Sequence, residues 1–302
     1  MNKPSLLLLS VCLVTFNLTS TKANAAETLR LCSGTPGKTY YAVAQKLGEL
    51  IPQLSANQLQ VEVIATGGSI DNLSKIMNNE CDSAIVQGDA IEFFINNINQ
   101  EAKGKIRRQS ALYKELSFLL CSRKSGVTEI EDLLDTDNAS VAAGAMGSGS
   151  LATWLTFRSI KPDYAKVKVI PENGAAGALA VARGDASCLL EVIAPQSDFI
   201  ASLNANSEIG KALIFAEVDD GFDGYQVDNQ RIYTRVEFDD EKYDNISSWG
   251  DPELIAITAY LVISESWAQQ HAQGLGALSM ATLTGQADIE AVAYGEEKPF
   301  QE

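Results

Sequence analysis

Leu31-Cys32-Ser33-Gly34-Thr35-Pro36-Gly37, followed by a helix-like stretch over 39–50, decides the fold, because the chain states it twice. Further on, Val141-Ala142-Ala143-Gly144-Ala145-Met146-Gly147 runs into a second such stretch over 148–159. Each copy reads as a buried strand, a Gly-x-x-Gly turn and the start of a helix. A second unit recurs in the same order. Val61-Glu62-Val63-Ile64 leads through a Gly-rich turn and an amphipathic helix to Asn79-Glu80-Cys81-Asp82 and a strand over 83–86. Val167-Lys168-Val169-Ile170 leads likewise through Gly184-Asp185-Ala186-Ser187 into a strand over 188–192. Ordered recurrence of this kind marks a duplicated architecture. Two α/β lobes that aim helix N-termini at a shared edge make a cleft for a small molecule.

The rest of the chain fits around that core. Short β-branched runs predict strands at 29–32, 59–65, 83–86, 116–121, 140–143, 167–170, 188–192, 213–216 and 255–263. Helices alternate with most of them; Tyr40, Val43, Ala44, Leu47 and Ile51 share one helical face. Thr128-Glu129-Ile130-Glu131 reads as a capping box opening a short helix. The expected class is α/β, with mostly parallel sheets and helices on both faces. In such sheets ligands sit beyond the carboxyl ends of the strands, where these Gly-rich turns fall. The stretch 219–251 breaks the alternation, with one strand expected at 232–238. No low-complexity linker separates the halves, so the lobes are expected to be joined by crossing strands. The expected division is 26–118 for the first lobe and 119–254 for the second, with 255–302 returning to the first.

Residues 1–25 read as a cleaved signal peptide: Lys3, an apolar run, then Ala23-Asn24-Ala25. The apolar run is too short for a membrane span, and Val11 before Cys12 argues against lipid attachment. The mature protein is therefore expected to be exported, to the periplasm. Acidic residues outnumber basic ones 39 to 23, and cleavage would remove two lysines and no acid. Nucleic acid, which demands a basic footprint, is not an expected partner. One histidine and no Cys-x-x-Cys pair leave no zinc site, and no metal or cofactor is expected. Cys32, Cys81, Cys121 and Cys188 remain after cleavage. An exported compartment permits disulfides, but the spacing does not choose among them.

Gly34-Thr35-Pro36-Gly37-Lys38-Thr39 resembles a phosphate loop but carries Cys32 where that motif needs its first glycine. It serves better as an anion site, with small residues admitting a ligand to the free N–H groups of the helix start. Thr66-Gly67-Gly68-Ser69 repeats the device, with Ser69 expected as N-cap and Asn72 expected to face the cleft. Gln87-Gly88-Asp89 follows the third strand directly; Asp89 suits either a ligand or a cap. Gly147-Ser148-Gly149-Ser150 supplies the partner site in the second half. It lacks the Gly-x-Ser-x-Gly register of a hydrolase elbow. Glu191 either faces the cleft or marks where its strand meets water. His271 lies on a late helix and reads as a solvated surface residue.

Three of these segments, 33–41, 66–73 and 81–89, together with Gly147-Ser148-Gly149-Ser150 and Gly184-Asp185-Ala186, resemble the TAXI-family solute receptors of TRAP transporters. The resemblance spans about residues 28–215. It implies a two-lobed, type II-like periplasmic binding protein that closes about a hinge on a small organic anion, often glutamate or a related carboxylate. Such a receptor then delivers its ligand to a sodium-coupled membrane permease. By match of motif, Thr35, Thr39, Tyr40, Ser69, Asn72, Gln87 and Asp89 contact ligand from the first lobe, and Ser148, Gly149 and Ser150 from the second. Two positions depart from the family pattern: Lys38 stands where glycine is usual, and Glu191 where an apolar or aromatic residue is usual. Either would alter the ligand's charge or size; Lys38 offers an extra anchor for an acid, and Asp89 or Glu191 one for an amino group. The expected protein is a monomeric receptor rather than an enzyme. Its alternatives are an exported hydrolase using Ser148, or a receptor feeding a sensor protein.

Overall fold

The computed structural model describes residues 26–301 apart from 247, 249 and 296–299. The signal-peptide reading of 1–25 lies outside the described residues. The chain opens with β1 (Glu27–Cys32), α1 (Thr39–Leu54), β2 (Leu59–Ile64), α2 (Ser69–Met77), β3 (Ser83–Gln87) and α3 (Gly88–Phe93). Strands β2, β1 and β3 pair in parallel in that order. On α1, Val43, Ala44, Leu47 and Ile51 are buried, as the helical spacing requires.

A 17-residue strand, β4 (Ile106–Ser122), then leaves this lobe. The second lobe holds α4 (Asp132–Asp135), β5 (Ser140–Ala142), α5 (Gly149–Ile160), β6 (Lys168–Ile170), α6 (Gly174–Arg183) and β7 (Cys188–Ile193). Strands β6, β5 and β7 form the second parallel triplet. After α7 (Asp198–Ala205), α8 (Ser207–Gly210) and β8 (Leu213–Ala216), a hairpin of β9 (Gln226–Val227) and β10 (Gln230–Arg231) precedes β11 (Tyr233–Phe238). The return strand β12 (Glu253–Ser264) leads into α9 (Glu265–Gln270), α10 (Ala272–Thr284), α11 (Gln286–Tyr294) and β13 (Phe300–Gln301). Helices α10 and α11 pack on α1, in the first lobe.

The main sheet runs β2-β1-β3-β12-β4-β7-β5-β6. Parallel pairing holds in both triplets, while the middle is antiparallel, because β4 carries the chain outward and β12 brings it back. Residues 106–111 of β4 pair with β12 beside the first triplet, and Leu116–Cys121 pair with β7 of the second. Register shifts after Ala259 and Leu261 twist this crossing pair. The first half of β4, Ile-Arg-Arg-Gln-Ser, is polar and only half-buried, and so gave no strand signal in the sequence.

Two further expectations are corrected. The chain is long enough for two lobes each with its own core, yet one cluster runs from Leu29 and Leu31 through Leu116 and Phe118 to Leu189 and Phe215. The crossing strands are buried through their middles, so the apolar interior is continuous. A smaller cluster under α2 and α3 includes Ile70, Leu73 and Phe94, and takes in Ala152 of α5. The cap at Thr128 is also not a Thr–Glu box. Asp132 Oδ2 accepts from the Thr128 and Glu129 amides, and α4 begins at Asp132 rather than earlier.

Each lobe has one disulfide, Cys32–Cys81 and Cys121–Cys188. The first ties the end of β1 to the approach of β3; the second ties β4 to β7. His271 is half-buried, stacked on Trp267 with ring centroids 4.5 Å apart.

Candidate functional site

The βα turns of both triplets face each other across a cavity of about 850 Å³. Three helices present their first turns to it. Helix α1 begins at Thr39 with no side-chain cap on Lys38, and α2 begins at Ser69 with none on Gly68. Helix α5 begins at Gly149; Ser148 caps only the Leu151 amide. First-turn N–H groups have no partner within their own helix. Those of Thr39, Tyr40, Ser69, Gly149 and Ser150 therefore come from residues that line one space, where the helix dipoles add positive potential.

Glycine is what lets the turns meet. Gly68 has φ +121°, and a Cβ there would lie 3.5 Å from the Gly147 carbonyl oxygen. A Cβ on Gly149 would lie 1.9 Å from Gln87 Oε1. At Gly68 the approach is to backbone; at Gly149 it is to the Gln87 side chain.

Ten of the twelve expected site residues line this cavity: Thr35, Lys38, Thr39, Tyr40, Ser69, Gln87, Ser148, Gly149, Ser150 and Glu191. Asn72 and Asp89 do not. Asn72 is fully buried; its Nδ2 donates to the Ser33 and Ile85 carbonyls, and its Oδ1 accepts from Thr66 Oγ1. It staples β1 to β3 beneath α2. Asp89 is also fully buried; its carboxylate accepts from the Ala90 amide, Thr153 Oγ1 at 2.6 Å and Tyr233 Oη at 3.0 Å. Burial pushes its pKa up to about 6 against those hydrogen bonds. Asp89 thus links α3 of the first lobe to α5 and β11 of the second.

The serines differ from expectation in what their hydroxyls do. Ser69 lies one residue inside α2, and Gly68 holds the cap position. Its Oγ accepts from the Gln87 amide at 3.1 Å and lies 3.3 Å from Tyr40 Oη. Ser148 Oγ donates to the Ala143 carbonyl and accepts from the Leu151 amide. Ser150 Oγ accepts from the Val192 amide at 3.0 Å. These hydroxyls hold the turns in shape, while the first-turn N–H groups of α1, α2 and α5 are without a partner in their own helices.

Sequence reasoning missed Glu115, on the floor of the cavity and 4% exposed. Tyr40 Oη donates to its Oε2 at 2.9 Å. With that proton committed, Ser69 is left to donate to Tyr40, giving the relay Ser69–Tyr40–Glu115. Burial, with the Asp89 charge nearby, pushes Glu115 up to about 8. Glu191 is 3% exposed, and one of its oxygens accepts from the Gly174 amide at the start of α6. Burial raises it too, against the Gly174 hydrogen bond and the Lys38 charge. Lys38 is exposed at the rim. The turn after β7, with Gln196, Ser197, Asp198 and Phe199, also lines the cavity. Ser197 caps α7 through the Phe199 amide, so Pro195-Gln196-Ser197-Asp198 was a legible signal. Val292 arrives from α11 and carried none.

Residues 31–265 match the NMT1-like family pattern. The chain belongs to the NMT1-like family. Comparison with curated proteins finds no sequence match. Among solved structures, this NMT1-like chain is similar to a histidine kinase sensor domain related to periplasmic binding proteins, with a TM-score of 0.55 and 14% identity, over 89% of this chain and 97% of that one. It is similar to the GluR0 ligand-binding core of Nostoc punctiforme in complex with L-glutamate, with a TM-score of 0.52 and 11% identity over 90% and 100% of the two chains. A TRAP periplasmic solute-binding protein from Ochrobactrum anthropi scores 0.50 at 10% identity, over 89% and 77%. At such identities the likeness is one of fold: two-lobed, α/β and of the periplasmic-binding type. Among the described residues, no helix is long and apolar enough to cross a membrane.

Proposed function

We propose that this chain is an exported receptor that captures a small carboxylate, glutamate or a relative of it, between its lobes and delivers it to a TRAP-type permease. The observation that carries the reading is the convergence of the α1, α2 and α5 N-termini on one cavity. Backbone N–H groups fixed at helix starts bind a carboxylate without needing a basic side chain. The resemblance of the 33–41, 66–73 and 81–89 segments to TAXI receptors supports the choice of permease. Closure is the mechanism: strands β4 and β12 cross between the lobes and form the natural hinge, while the glycine turns meet over the ligand.

A hydrolase reading finds less support, since Ser148 is engaged as a helix cap and the chain's one histidine stacks on Trp267 away from the cavity lining. A receptor feeding a sensor shares the same fold, as the kinase sensor domain illustrates. The two partners are separated by transport: proteoliposomes holding the TRAP permease should accumulate labelled ligand only when the receptor is added.

Thermal shift against amino acids and organic acids tests the binding reading itself. A ligand at a hundredfold excess over its dissociation constant adds about 2.7 kcal/mol of stability. A screen in which no carboxylate raises the melting temperature, while neutral or cationic solutes do, would sink it.

A further inference from the structure

The cavity is not uniformly suited to an anion. Beside the helix starts, its lining also carries buried acceptors. Glu115 and Glu191 are almost fully buried there, the Asp89 charge lies near Glu115, and Lys38 is the one basic side chain among the described residues lining the space. Tyr40 donates to Glu115 through its hydroxyl, and the Gln87 side chain, which lines the same space, acts to favour the Glu115 carboxylate. Gln87 is 2% exposed, and among the described residues its Oε1 is buried without a hydrogen-bond partner. A buried acceptor facing a binding cavity without a donor is costly unless the ligand brings one. Glu191 differs, because the Gly174 amide already serves it.

We propose that Glu115 and Gln87 Oε1 form the seat of a protonated amine on the ligand, so that the receptor selects zwitterionic amino acids over their deaminated analogues. The proposal rests on the carboxylate-receptor reading and adds the second pole. An ammonium supplies three donors and no acceptor, which suits the Gln87 oxygen and, once Glu115 has released its proton, its carboxylate. A ligand hydroxyl or keto oxygen in the same place sets acceptor against acceptor, or meets a carboxyl that has kept its own proton.

The same geometry sets the direction of the pH dependence. In the empty cavity burial keeps Glu115 largely protonated at neutral pH. An ammonium arriving beside it favours the carboxylate, so binding releases a proton and affinity rises between about pH 6 and 8. The groups facing Glu115 are Tyr40 on α1, Gln87 on β3, Asp89 on α3 and Tyr113 on its own strand. Both tyrosines are held well above their ordinary range and stay neutral, and Asp89 titrates in a lower window. If Glu115 instead donates its proton to a ligand carboxylate, the dependence reverses.

Isothermal titration with matched pairs decides the matter: glutamate against 2-oxoglutarate, and leucine against 4-methyl-2-oxopentanoate. The expected result is that the amino acid of at least one pair binds roughly tenfold or more tighter than its oxo acid, the size of a charge-assisted hydrogen bond. Its affinity should climb from pH 6 to 8, with proton release detected by comparing two buffers. Glu115→Gln should weaken the amino acid by roughly 10- to 100-fold and flatten the pH slope, while leaving the oxo acid little changed. That retained binding reports an intact cleft. Oxo acids binding as tightly as amino acids, affinity falling with pH, or equal loss of both ligands in the variant would each overturn the amine seat. Failure of every carboxylate to bind would overturn the receptor reading, and this one with it. Should the variant not fold, the pair preference and pH direction of the parent still decide.

Discussion

Gly149 and Gln87 show how little room this side of the cleft leaves. A methyl group at Gly149 would overlap Gln87 Oε1, and the Gln87 side chain would have to swing out of the cavity floor. Gly149→Ala is therefore expected to carry an overpacking cost of roughly 1–3 kcal/mol, felt in stability, and to weaken ligand binding as Gln87 is displaced. Calorimetry alongside a denaturation curve separates the two effects. Asn72 predicts a different pattern. Its amide satisfies two buried carbonyls, so Asn72→Ala should destabilise the protein by about 1–3 kcal/mol with ligand affinity little changed. Loss of affinity at unchanged stability would return Asn72 to the binding site.

Among the elements, β4 does the most with the least obvious sequence. It joins the lobes, pairs with β12, β7 and β8, and carries Glu115 at the point of crossing. Its far end is locked by Cys121–Cys188, while Cys32–Cys81 locks the first triplet. The bridged residues are 49 and 67 positions apart. Loop-closure entropy then assigns about 4 kcal/mol of stability to each bond. Cys121→Ala with Cys188→Ala should lower the denaturation midpoint accordingly, and dithiothreitol should lower the parent's midpoint while leaving the double variant with only its remaining bond to lose. A parent midpoint indifferent to reductant would show that these bonds carry no stability.

For the molecule as a whole, the buried carboxyls set an unusual pH response. Asp89 is pushed up to about 6 and Glu115 to about 8, both above their values in an unfolded chain. Between the unfolded and folded values the native state holds protons that the unfolded state has lost. Their contribution to stability is present at low pH and is lost as pH rises through the folded pKa values. The empty receptor should therefore resist urea better near pH 5 than near pH 8, by an amount on the order of a few kcal/mol from these two groups. Asp89→Asn and Glu115→Gln should each flatten the slope. A ligand amine seated on Glu115 should also flatten it, because the carboxylate is then stabilised in the native state.

Much of this architecture was legible before any coordinates, because periodicity and glycine placement are local. Alternation of short apolar runs with amphipathic stretches located the strands of both triplets, and paired Gly-rich turns located the helix starts that line the cavity. Backbone conformation at a strand-to-helix turn depends on neighbouring residues, so ten of twelve candidate positions could be picked out along the chain. Side-chain destinations could not. Asn72 and Asp89 have the right chemistry on the right turns but point into the packing, since a helix carries only part of its first turn toward a cleft. Glu115 gave no warning because its strand looks polar until β12, distant in sequence, covers it. The disulfide pairs, the single continuous core and the buried acceptors of the cavity lining arise the same way. Each joins segments far apart in the chain, and only the crossing of β4 and β12 brings them together.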